Sequence, residues 1–84
     1  MPSGDLNLFT QVKNVVARTF DVSVEDIEPE SGHETISGWD SIGHLQLMMQ
    51  VELSFGVRFS TDQIRQPRNV RELCELLNSM GVHD

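Results

Sequence analysis

The stretch Ser37-Gly38-Trp39-Asp40-Ser41-Ile42-Gly43-His44 closes a long polar loop and opens the most apolar helical pattern of the chain, Ile42 to Phe55. A serine at a helix start holds its hydroxyl beside backbone N–H groups that lack intrahelical partners, at the positive end of the helix dipole. A phosphodiester on Ser41 would be electrostatically favoured there. Serine and aspartate are also the preferred N-cap residues, so Asp40 and Ser41 taken alone read equally well as caps. Hydrolysis is poorly supported, because neither a Gly-x-Ser-x-Gly elbow nor credible acid-base partners accompany the serine.

The neighbours of Ser41 admit more than one reading. Trp39 covers the edge of a core, or guards a group attached to Ser41 or contacts a partner. His44, one turn on, is a solvated imidazole, or contacts a phosphate when protonated. Gly43 costs about 1 kcal/mol relative to alanine near a helix start. It leaves room for an attached group or an approaching protein, or marks a loosely held first turn.

The elements that position these residues belong to a small protein. With 84 residues and 38% hydrophobic content, residues 1–84 form one domain with one modest core. The single cysteine, Cys74, excludes an internal disulfide, and no cysteines or histidines stand at zinc-ligand spacing. This usage fits a reducing cytoplasm. No basic segment followed by an apolar run opens the chain, and no apolar stretch is long enough to span a bilayer.

The formal charge of −7 is unevenly spread. Residues 19 to 55 hold eight acids, Asp21, Glu25, Asp26, Glu28, Glu30, Glu34, Asp40 and Glu52, and no lysine or arginine. Such a field repels nucleic acid and anionic lipid and steers basic protein surfaces toward Ser41; equally, it serves solubility. Arg65, Arg68 and Arg71 form the one basic cluster, available to the acidic loop or as a second contact surface.

Leu6, Phe9, Val12, Val16 and Phe20 recur at spacings of three and four, which predicts a first helix over about 5–19. Residues 21 to about 40 read as a loop broken by Pro29, Ser31-Gly32, Ser37 and Gly38, pinned by Val22, Val24 and Ile27, with one helical turn from Ser23 to Asp26. In the second helix Leu47, Val51 and Phe55 form a core stripe, and Gly56 stops it. Leu45, Met48, Met49 and Leu53 exceed what that stripe requires, so they are expected at least in part to face solvent or a partner. Ser60 with Gln63 predicts a capping box for a short third helix ended by Pro67. Asn69 with Glu72 repeats the pattern before a final helix, whose inner face is Val70, Leu73, Leu77 and Met80 and which Gly81 closes. The fold expected is all-α, a four-helix bundle with a short third helix and a long loop between helices 1 and 2.

This order of elements, with Asp40-Ser41-Ile42 at the start of the second helix, resembles the acyl carrier proteins over nearly the whole chain. Their serine in an Asp-Ser-Leu type motif receives 4′-phosphopantetheine. The resemblance implies a carrier without catalysis of its own, which holds an acyl group as a thioester on an arm attached to Ser41. It implies a phosphopantetheinyl transferase that uses coenzyme A and Mg²⁺, with Asp40 as the motif acid, and acyl-transferring or acyl-modifying synthase enzymes as further partners. These would meet a monomer through Ile42, Leu45, Met48, Met49, Glu52 and Leu53, without nucleic acid or membrane insertion.

One departure stands out. Fatty-acid carriers usually bear several acids on this helix, whereas here Gln46, Gln50 and Leu53 leave Glu52 alone, so recognition is expected to rest more on apolar contact and to favour partners outside the general fatty-acid machinery. Two other readings stay open. A peptidyl or aminoacyl carrier usually shows a Gly-Gly-His-Ser type motif, which Trp39-Asp40-Ser41 does not match. An unmodified helical interaction module would keep full function without the Ser41 hydroxyl.

Overall fold

The computed structural model describes residues 7–82. They form α1 (Leu8–Phe20), a 3₁₀ turn (Val24–Asp26), α2 (Ser41–Phe55), α3 (Thr61–Arg65) and α4 (Val70–Ser79), with no strand among them. The expected bundle with a long first loop and a short third helix is therefore the observed one. Each start is set by a side chain that takes up an N–H the helix cannot satisfy. Asn7 caps α1 by accepting from the Thr10 N–H at 2.8 Å, so the helix begins at Leu8 rather than near residue 5. Leu6, placed on the inner face by its spacing, lies outside the described residues. Ser60 and Gln63 form the reciprocal capping box of α3, and Asn69 accepts from the Glu72 N–H to open α4. Gly56, at φ 68°, ends α2 in a left-handed cap.

The core lies where α1 packs against both α2 and α4. Val12 and Val16 pack with Leu47, Met48 and Val51 and with Val70, Leu73 and Leu77, all essentially excluded from water. On α1 the buried set is Leu8, Val12, Val15 and Val16, while Phe9 and Phe20 are half-buried at its edges. A helix that touches two neighbours needs a wider apolar face than a single stripe provides.

The 20-odd residues before α2 are less a free loop than a strap, pinned at several points. Ile27, Ile36 and Trp39 are buried in the core, whereas Val22 and Val24 are only half-buried. The strap's backbone joins the start of α4: the Val70 N–H donates to the Ser31 carbonyl at 2.9 Å and the Arg71 N–H to the Pro29 carbonyl at 2.8 Å. Gly32 pairs there with Asn69, and a Cβ on it would overlap the Arg68 carbonyl oxygen.

Gly43 is tighter still. It is buried in the first turn of α2, where a Cβ would overlap the Gly38 carbonyl oxygen and stand 2.9 Å from Phe20 Cε1. The reading of this glycine as room for an attached group or an approaching protein does not survive, because the space beside it holds strap backbone. Glycine-to-alanine changes inside helices usually stabilise by about 1 kcal/mol. Gly43→Ala is expected to do the opposite and cost about 1–3 kcal/mol through overpacking, read as a lower urea midpoint. A stabilised variant would contradict the close approach.

Candidate functional site

Asp40 and Ser41 divide the two roles that their sequence left open. Asp40 is the N-cap: its Oδ1 accepts from the Gly43 N–H at 2.8 Å, and its carbonyl accepts the first helical bond, from the His44 N–H, at 2.7 Å. Ser41 is the first helical residue, exposed, with its hydroxyl unbonded to any described residue. The Ser41 and Ile42 N–H groups also lack partners among the described residues, as expected of the first turn. A phosphate ester at Ser41 would meet two free donors at the positive end of a helix of 15 residues.

Behind the serine, three rings fix the approach of the strap. Trp39 is 2% exposed and stacks on Phe20, with centroids 5.4 Å apart, and on His44 at 6.2 Å. The indole N–H is donor only, and it donates to His44 Nδ1 at 3.0 Å. The other ring nitrogen of His44 therefore carries the proton, which it donates to the Ile64 carbonyl of α3. Trp39 is thus a core residue rather than a guard, and His44 is half-buried with both ring nitrogens engaged, so it is not free to meet a phosphate. It bridges the strap, α2 and α3. Nothing in the local sequence announced this, because Ile64 lies 20 residues away.

The outer face of α2 separates the expected partner residues. Ile42, Leu45, Met49 and Leu53 are 52–77% exposed and form one continuous apolar stripe. Met48 does not belong to it, being only 1% exposed. Successive helical residues are about 100° apart, so one step from Met49 to Met48 crosses from solvent to the arc that packs on α1. Glu52 is half-buried, and its Oε2 accepts from the Phe59 N–H at 2.8 Å, which ties the carboxylate to the segment after α2.

Between the start of α2, the end of the strap and α3 runs a groove of about 850 Å³, lined by Ser41, Trp39, Leu45, Ile64, Arg65 and Arg68 among others. Of the basic cluster, only Arg71 meets the acidic loop, 3.8 Å from Glu30, as an exposed pair of small energetic value.

The family described as "Phosphopantetheine attachment site" matches residues 10–77, a span that includes the whole of α2. The chain belongs to this carrier family. Relatives of the carrier bear the matching name. The acyl carrier protein of Coprothermobacter proteolyticus is 31% identical over 72 residues, covering 86% of this chain and 88% of its own. "Acyl carrier protein 3" of Ralstonia nicotianae is 29% identical over 69 residues, covering 82% and 79%. The acyl carrier protein of Thermosynechococcus vestitus is 25% identical over 72 residues, covering 86% and 89%. Carriers of this family are not enzymes. Among the described residues no helix of the carrier is long and apolar enough to cross a membrane.

Proposed function

We propose that Ser41 bears the 4′-phosphopantetheine arm of this acyl carrier protein. The observation that carries the assignment is its exposed hydroxyl at the first position of α2, with Asp40 capping the helix and two backbone N–H groups left free. The arm, when bound, supplies a thiol on which an acyl group rides as a thioester. In the loading step the Ser41 oxygen forms a bond to phosphorus, the pyrophosphate bond of coenzyme A breaks, and its nucleotide portion leaves. The hydroxyl proton passes to a base of the phosphopantetheinyl transferase. Residues 1–84 act as one domain, a cytoplasmic monomer that delivers its cargo to synthase enzymes.

The experiment is an intact-mass measurement with coenzyme A, Mg²⁺ and a broad-specificity transferase. One phosphopantetheine unit is expected, on the peptide that contains Ser41. No gain, with the protein folded and a control carrier modified, would overturn the assignment.

Asp40 serves the transferase as well as the helix. Asparagine caps as well as aspartate, so Asp40→Asn removes the charge and keeps the cap. Its melting temperature is expected to stay near that of the parent while modification slows about tenfold or more, the scale of a lost charged hydrogen bond. Equal slowing and unfolding would mean that the residue only caps.

The apolar stripe is the surface the enzymes meet. Leu45 and Met49 are exposed, so replacing both with serine should leave stability within about 0.5 kcal/mol. The transferase kcat/KM is expected to fall about tenfold, the loss of roughly 1.4 kcal/mol of apolar contact. That contact, unlike charge pairing, should be nearly indifferent to salt.

A further inference from the structure

Arg65 and Arg68 occupy a place that the carrier role alone does not require. The chain holds six basic residues against 13 acids, and none of the six falls between residues 19 and 55. Yet two of them line the groove that contains Ser41, together with His33. Neither guanidinium is paired with a carboxylate among the described residues, where the ion pair is Arg71 with Glu30. The groove's single carboxylate, Asp40, spends Oδ1 on the Gly43 N–H. A strongly acidic protein has therefore placed a cationic lining in the groove that adjoins its attachment serine.

Apolar side chains form much of the remaining wall. Leu45, Ile64 and Pro67 contribute to it, and the volume of about 850 Å³ lies within the range of small-molecule sites. The chemistry asked for is an aliphatic body with an anionic end. The arm's own phosphodiester is a monoanion, and at Ser41 it already has the N–H groups of Ser41 and Ile42. Two further guanidinium groups exceed its needs.

We propose that the groove receives the acyl end of the arm when the acyl group carries a free carboxylate, which Arg65 and Arg68 hold, so that the favoured cargo is the half-thioester of a dicarboxylic acid. This rests on Ser41 as the attachment point. A guanidinium suits a carboxylate because its planar fork matches the two oxygens. An uncharged acyl group of equal length would keep the apolar contact and lose the ion pair.

The test loads the full chain from hexanoyl- and adipoyl-coenzyme A with the transferase, which gives cargos of equal length that differ in one carboxylate. Intact mass verifies loading at Ser41. Two readouts follow, the NMR shifts of the Arg65 and Arg68 Nε–H groups and the rate of thioester cleavage by hydroxylamine, normalised to the same thioesters on coenzyme A. The expected result is guanidinium shifts for the adipoyl form alone and cleavage about two- to fivefold slower than for hexanoyl, the size of a partly exposed ion pair. Arg65→Gln with Arg68→Gln should erase the difference without unfolding the protein, since both side chains are exposed. High salt should weaken it.

Equal shifts and rates for the two cargos would overturn the proposal. So would guanidinium shifts of the same size with the arm unacylated, which would give the arginines to the phosphodiester. Both results leave Ser41 as the attachment site. No mass gain at Ser41 would remove the attachment reading, and this proposal with it.

Discussion

Ser41→Ala is expected to gain no phosphopantetheine under conditions that modify the parent completely, and to unfold within about 0.5 kcal/mol of it. Both halves follow from the geometry. The hydroxyl is exposed and bonded to no described residue, so its removal breaks nothing in the fold. Alanine is a good helix former, and Asp40 rather than Ser41 supplies the cap. The loss is therefore chemical and total, because no other atom at this position can form the bond to phosphorus. Intact mass and urea unfolding of the same sample separate the two halves. A modified Ser41→Ala chain would move the attachment elsewhere, with the exposed Ser37 of the same groove as the first residue to test.

Trp39→Ala is expected to cost about 3–5 kcal/mol, the usual range for deleting a fully buried large ring. A domain of 84 residues has roughly 4–12 kcal/mol to lose, at about 0.05–0.15 kcal/mol per residue. The variant should thus show a large fall in urea midpoint. Three effects coincide at this residue. Its ring fills the space between Phe20 and His44, its burial is nearly complete, and its N–H satisfies His44 Nδ1. Trp39→Phe separates them, since it keeps a ring in the stack and leaves Nδ1 without its donor, at a cost of about 1–3 kcal/mol. Amide hydrogen exchange should then rise around Ile64, because His44 is what joins α3 to the start of α2. A Trp39→Ala protein within 1 kcal/mol of the parent would show that the strap, and not this ring, holds the site.

The two predictions concern neighbouring residues with opposite physics. Ser41 matters for what can be attached to it, and its exposure makes it replaceable in the fold. Trp39 matters because the strap must return to α2 at one height and angle. That position sets where Asp40 caps, and hence which residue becomes the first of the helix. Function at Ser41 is therefore built by residues that never touch the arm.

Much of this was legible from local pattern. Spacings of three and four placed α1, α2 and α4, because the inner face of a helix is set by its own period. Ser60-x-x-Gln63 and Asn69-x-x-Glu72 marked the starts of α3 and α4, and Gly56 the end of α2, because caps are satisfied within one turn. The Asp40-Ser41 helix start and the acyl carrier resemblance came from the same local signals. Contacts between distant segments were not legible. Gly43 reads as room for an attached group or as a loosely held turn, yet the Gly38 carbonyl and Phe20 stand against it, and His44 reads as a solvated imidazole or a phosphate contact, yet Ile64 and Trp39 bracket it. Met48 and Met49 are the same residue type one position apart, and only the packing of α2 on α1 decides which is core and which is surface. The three arginines are likewise equivalent in sequence, yet two line the groove and the third pairs with Glu30. Periodicity and capping report interactions within about one turn, so the sequence by itself determined the helices and the place of Ser41 at the head of one. Only the tertiary structure, in which segments tens of residues apart compete for the same space, decided what lies beside that serine.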